Sequence, residues 1–90
     1  MKKALISVTG LDTTGIIARV ATKLYEMNIN ILDITQTILQ DYFNMMMIVD
    51  VSRMEKTFDE MAKELAAVGE QKGVQVLCQR EEIFTSMHRL

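Results

Sequence analysis

Cysteine is nearly missing from this chain: Cys78 stands alone, which excludes a disulfide framework or a multi-cysteine zinc site within one chain and fits a reducing compartment. Histidine is equally scarce, with His88 near the C-terminus, where a side chain is poorly anchored for catalysis. Proline does not occur, and no repeat, low-complexity tract or linker-like stretch divides the sequence. Cations are not in excess either. Ten Lys and Arg are scattered among twelve acids for a net charge of -2, so nothing marks a face for nucleic acid, which needs clustered cations. No apolar run nears membrane-spanning length, and the alternating stretch after Met1-Lys2-Lys3 is too short for the core of a signal peptide. A cytoplasmic protein with no membrane or nucleic-acid partner is expected.

What the chain does have is enough apolar residues for one core. Ninety residues with 49% hydrophobic and 24% charged content suit a single globular domain over residues 1–90. A domain this small gains only modest stability from its core, which makes self-association a natural supplement.

Alternation places Ala4, Ile6 and Val8 opposite Leu5, Ser7 and Thr9, so residues 2–9 read as a strand. It ends at Gly10-Leu11-Asp12-Thr13-Thr14-Gly15, a flexible turn with groups suited to capping a helix. Ile16, Ile17, Val20, Ala21, Leu24 and Met27 then follow helical spacing, ending near Asn28. Asn28-Ile29-Asn30 tolerates left-handed backbone, and residues 31–39 and 43–51 form a hairpin about Gln40-Asp41-Tyr42. Ser52 with Glu55 is a candidate capping box before a second helix carrying Phe58, Met61, Ala62, Leu65 and Ala66, ended by Gly69 or Gly73. Val74, Val76 and Cys78 mark a last strand, and Ile83, Phe84 and Met87 suggest a short C-terminal helix docked on the body.

This order predicts an α+β, ferredoxin-like βαββαβ fold: a four-stranded antiparallel sheet, its first and third strands central, with two helices on one face. The other face would expose Leu5, Met46, Ile48 and Leu77 and invite a partner, most economically a second copy.

Catalytic chemistry finds little support. Cys78 lies in an alternating apolar strand and reads as a small core residue, and Asp12 and Asp33 have simpler explanations as a cap and an exposed strand residue. Met45, Met46 and Met47 alternate in direction, so their sulfurs cannot converge on a soft metal or heme. With one His and dispersed acids, neither a metal site nor a cofactor is expected. Gly10 and Gly15 are five apart without a G-x-G start, which argues against a dinucleotide site. The turn does offer glycine flexibility, the hydroxyls of Thr13 and Thr14, and helix-start amides able to hold a small carboxylate.

Gly10 to Val20, followed by Asn28-Ile29-Asn30-Ile31, resembles the opening half of an ACT domain, and the likeness covers nearly the whole chain. Asp33-Ile34-Thr35-Gln36-Thr37, Tyr42 to Met47 and Ile83-Phe84 resemble a group of small stand-alone bacterial and archaeal members. The resemblance implies a regulatory module, not an enzyme, binding an amino acid or other small ligand between paired domains. Carried over by position, Gly10, Leu11, Asp12, Thr13, Thr14 and Gly15 form the ligand turn of one copy, and Asn28, Asn30 and Ile31 the opposing wall from its neighbour. Many such domains have Pro before the second turn glycine, where this chain has Thr14. With no catalytic or DNA-binding domain attached, a homo-oligomer of two or more copies would report to a separate regulated protein. The alternative is an interaction module of the same shape without ligand binding.

Other owners of the βαββαβ order fit less well. Acylphosphatases use an Arg in the first strand-to-helix loop, whereas Arg19 lies inside the helix. RNA-recognition domains need exposed aromatics on the central strands, where Phe43 is the sole candidate. Ferredoxin-like metal chaperones carry paired cysteines that this first loop does not have.

Overall fold

The computed structural model describes residues 2–11 and 15–80. Within them run β1 (Lys3–Gly10), α1 (Ile16–Glu26), β2 (Asn30–Leu39), β3 (Tyr42–Asp50), α2 (Phe58–Lys72) and β4 (Gln75–Arg80). The strands form one antiparallel sheet in the order β2-β3-β1-β4, so the first and third strands are central, as the alternation predicts. The expected C-terminal helix falls outside the described residues.

One sheet face supplies the core. Ala4, Ile6 and Val8 of β1, Phe43, Met45, Met47 and Val49 of β3, and Val76 of β4 pack against Ile16, Val20, Leu24 and Met27 below α1 and Met61, Leu65 and Val68 of α2. Met45 and Met47 are fully buried or nearly so, which fits unbranched, polarizable side chains filling an irregular interior. On the other face Met46, Ile48 and Leu77 are exposed, as expected, but Leu5 is buried between its strand neighbours at 7% exposure. Ile17, grouped with the core by periodicity, is instead 37% exposed on the flank of α1.

Helix boundaries follow local chemistry. α2 is capped by Thr57, not Ser52: the Thr57 hydroxyl accepts from the Glu60 amide at 3.2 Å while the Glu60 carboxylate accepts from the Thr57 amide at 2.9 Å. Ser52 is engaged elsewhere, donating through its amide and hydroxyl to Asp50 and accepting from the Lys2 amide at 2.9 Å. Those two bonds from Ser52 hold the Asp50 carboxyl below its ordinary pKa. Gly73 ends α2 in the left-handed region at φ 72°. Gly69 lies inside the helix, where a Cβ would come 2.7 Å from the Val74 carbonyl oxygen.

Candidate functional site

Gly10, Leu11 and Gly15 lie where β1 hands over to α1, at the Phe43 end of the sheet; Asp12, Thr13 and Thr14 fall outside the described residues. Gly10 has a packing reason for its identity, since a Cβ there would sit 2.8 Å from the Val74 Cβ and 3.2 Å from its Cα. Gly15 has a backbone reason. It occupies the N-cap of α1 at φ 76°, a conformation that other residues adopt at a cost of roughly 1–2 kcal/mol. Gly15, which offers no side chain, holds the N-cap position of α1, and the first turn carries no acidic residue; the expected capping by Asp12 lies outside the described residues. Lys72, at the end of α2, brings its ammonium to 3.7 Å from where a Gly15 Cβ would stand. Nothing in the sequence singles out Lys72. No local spacing points to it, because packing of α2 beside the turn is what brings it there. Leu11 is 63% exposed at the same end.

Asn28, Asn30 and Ile31 lie at the opposite end. Asn28 adopts φ 65° and closes α1 by donating its amide to the Tyr25 carbonyl at 3.0 Å. Asn30 begins β2 opposite Asp50, which in turn pairs with Lys3 at the far end of β1. Ile31 is half-buried and packs on the core. Tyr25, Asn28, Ile29, Asn30, Asp50 and Arg53 line a concavity of about 480 Å³ here. The eleven-residue α1 spans roughly 16 Å between the two groups, so one chain does not bring them together.

The flank of α1 joining these ends has a definite character. Arg19 bonds Gln71 at 3.4 Å and Lys23 pairs with Glu64 at 3.4 Å, which fixes the side of α1 that meets α2. At 100° per residue, Ile17, Ala21 and Tyr25 form a stripe turned away from α2. Because α2 packs on β4 and α1 leads into β2, that stripe runs beside the β2 edge. Along β2 itself Leu32, Ile34 and Ile38 are 40%, 42% and 72% exposed, and the strand carries no Lys, Arg or Pro to discourage pairing.

Cys78 is not poised for chemistry: burial raises its thiol pKa to about 11. Among the described residues no group of three or more His, Cys, Asp or Glu side chains could hold a metal, and no helix is long and apolar enough to cross a membrane.

Element order, strand order and helices on a single face place the chain in the class of ferredoxin-like α+β domains. The ACT domain family model matches residues 2–79, and the chain belongs to that family. It is 57% identical over all 90 residues to a UPF0237 protein of Bifidobacterium longum, and 48% identical over 90 residues to a UPF0237 protein of Methanocaldococcus jannaschii, with each chain covered completely. An ACT domain protein from Streptococcus pneumoniae superposes with a TM-score of 0.81 at 40% identity, covering 92% of this chain and 93% of its own. Domains of this family typically bind small-molecule ligands and oligomerise in regulatory roles.

Proposed function

We propose that this protein is a regulatory module that binds an amino acid between two copies of itself and signals to a separate protein in the cytoplasm, without catalysing a reaction. What supports this reading is the position of Gly10, Leu11 and Gly15 at one end of α1 and of Asn28, Asn30 and Ile31 at the other, beside an apolar edge strand. A two-fold axis between neighbouring β2 edges sets the two α1 helices antiparallel. The Gly10–Gly15 turn of one copy then meets Asn28, Asn30 and Ile31 of the other. The ligand carboxylate faces the start of α1 and Lys72, while the asparagine amides of the neighbour take the remaining polar groups.

A thermal-shift screen against the amino acids tests this. A ligand at 100 times its dissociation constant adds about 2.7 kcal/mol of stability. A positive amino acid supports the reading, and no shift with any of them overturns it.

One observation favours a second reading, an interaction module that keeps the shape without the ligand. Gly10, Gly15 and Asn28 each have a sufficient packing or backbone reason for their identity. An oligomer that regulates its partner equally well with and without added amino acids would support that alternative.

A further inference from the structure

The concavity at the Asn28 end of the domain is lined by two opposite charges that no salt bridge joins. Asn30 and Asp50 are register partners, so their side chains leave the sheet on the same side, with Cβ atoms about 5 Å apart. Both bonds from Ser52 land on one carboxylate oxygen of Asp50, Oδ1, and among the described residues Oδ2 accepts none. Arg53 enters the same concavity from the turn after β3. That turn is held by the Met54 amide donating to the Val51 carbonyl at 3.1 Å and the Val51 amide donating to the Lys2 carbonyl at 2.8 Å. Among the described residues no acid pairs with Arg53, whereas Lys56, in the adjoining hollow, is committed to Glu64 at 2.6 Å. We propose that this concavity selects an acidic amino acid, with Asp50 taking the α-ammonium and Arg53 the side-chain carboxylate.

This assignment rests on the shared-pocket reading, in which the α-carboxylate meets the Gly10–Gly15 turn and Lys72 of the other copy. An amino acid bound in that way still presents its ammonium and its side chain to the Asn28 wall. The ammonium needs an acceptor, and the Asp50 carboxyl, held below its ordinary pKa by the two bonds from Ser52, stays charged at neutral pH. Arg53 then decides the side chain. An apolar group would take water from the guanidinium and return nothing, and a basic one would be repelled, whereas a carboxylate offers two oxygens to its planar fork of donors. The amides of Asn28 and Asn30, which both donate and accept, suit either charge.

Calorimetric titration of the full chain with L-glutamate, L-aspartate, glutamine, asparagine, the N-acetyl derivatives of both acids and the remaining amino acids tests the assignment. One of the two acids should bind roughly tenfold or more tighter than its own amide, and N-acetylation, which removes the ammonium, should abolish binding. Arg53→Gln should bring that acid and its amide to equal affinity, while Arg53→Lys, which keeps the charge, should retain the preference. Asp50→Asn, which keeps an acceptor for Ser52, should weaken acid and amide alike, with circular dichroism confirming that each variant is folded. A preference that survives Arg53→Gln, an affinity untouched by Asp50→Asn, or a best ligand outside the acidic pair overturns the assignment and leaves the amino-acid reading standing. Binding of no amino acid at all overturns both.

Discussion

Gly10 and Gly15 look equivalent in the sequence, yet they are glycines for different physical reasons, and substitution separates them. Gly10→Ala drives a methyl into Val74, a contact with a strand-leading residue that has little room to move, so a loss of about 1–3 kcal/mol is expected in urea denaturation. Gly15→Ala meets no close backbone neighbour and should cost about 1 kcal/mol through its positive φ alone. Losses in the reverse order would show that the turn is strained elsewhere. Cys78 gives a pH signature at the same scale. Burial pushes its thiol up to about 11, from an ordinary value of 9.0, so the folded state holds its proton more tightly than the unfolded one. The corresponding stability is complete below pH 9 and is lost as pH rises towards 11. Cys78→Ser should flatten that part of the stability profile, and alkylation of the native thiol at pH 8 should be much slower than that of an unfolded control.

The α2 start shows what sequence pattern could and could not decide. Both Ser52-x-x-Glu55 and Thr57-x-x-Glu60 satisfy the capping-box spacing. The structure uses the second because Ser52 is held by Asp50 and the Lys2 amide, contacts that bring distant positions together and leave no local trace. Thr57→Ala should therefore cost about 1 kcal/mol and Ser52→Ala should not shorten α2, with helicity measured by far-ultraviolet circular dichroism. Periodicity disclosed the strands and helices because each buries one regular face: Ala4, Ile6 and Val8 alternate inward and Val20 and Leu24 recur one turn apart. It misassigned Ile17, because a position bordering the core stripe is apolar whether it meets the core or a neighbour. Likewise, the expected ligand turn and its opposing wall follow from family resemblance, but the separation of Gly10 and Gly15 from Asn28 and Asn30 by the length of α1, and the nearness of Lys72 to Gly15, depend on packing. Lys23, Lys56 and Glu64 tie α1 to the loop before α2, with Lys56 2.6 Å from Glu64, but these are solvent-facing pairs of the kind that contribute little to stability.

At the scale of the whole molecule, the two edges of the sheet are unlike. β4 alternates buried Val76 with exposed neighbours, whereas nearly all of β2 whose exposure is described is open, and it presents isoleucines along a ten-residue edge without a cation or proline. Strands of that kind pair with another chain unless something prevents it. Asp33 covers one amide of that edge, its carboxylate accepting from Ile34 at 2.9 Å, and Leu32 introduces a bulge, so pairing is expected over the straighter stretch beyond Ile34. Light scattering at micromolar concentration should find a dimer or larger. Ile34→Lys with Ile38→Lys places two charges on the edge without touching the fully buried core residues, and should reduce the mass to that of the 10.3 kDa chain while leaving the circular dichroism spectrum unchanged. The same double variant should lose any amino-acid thermal shift, since the proposed ligand pocket requires both copies. A folded monomer that keeps the shift would separate ligand binding from assembly and refute the shared pocket; an oligomer that survives both lysines would move the interface away from β2.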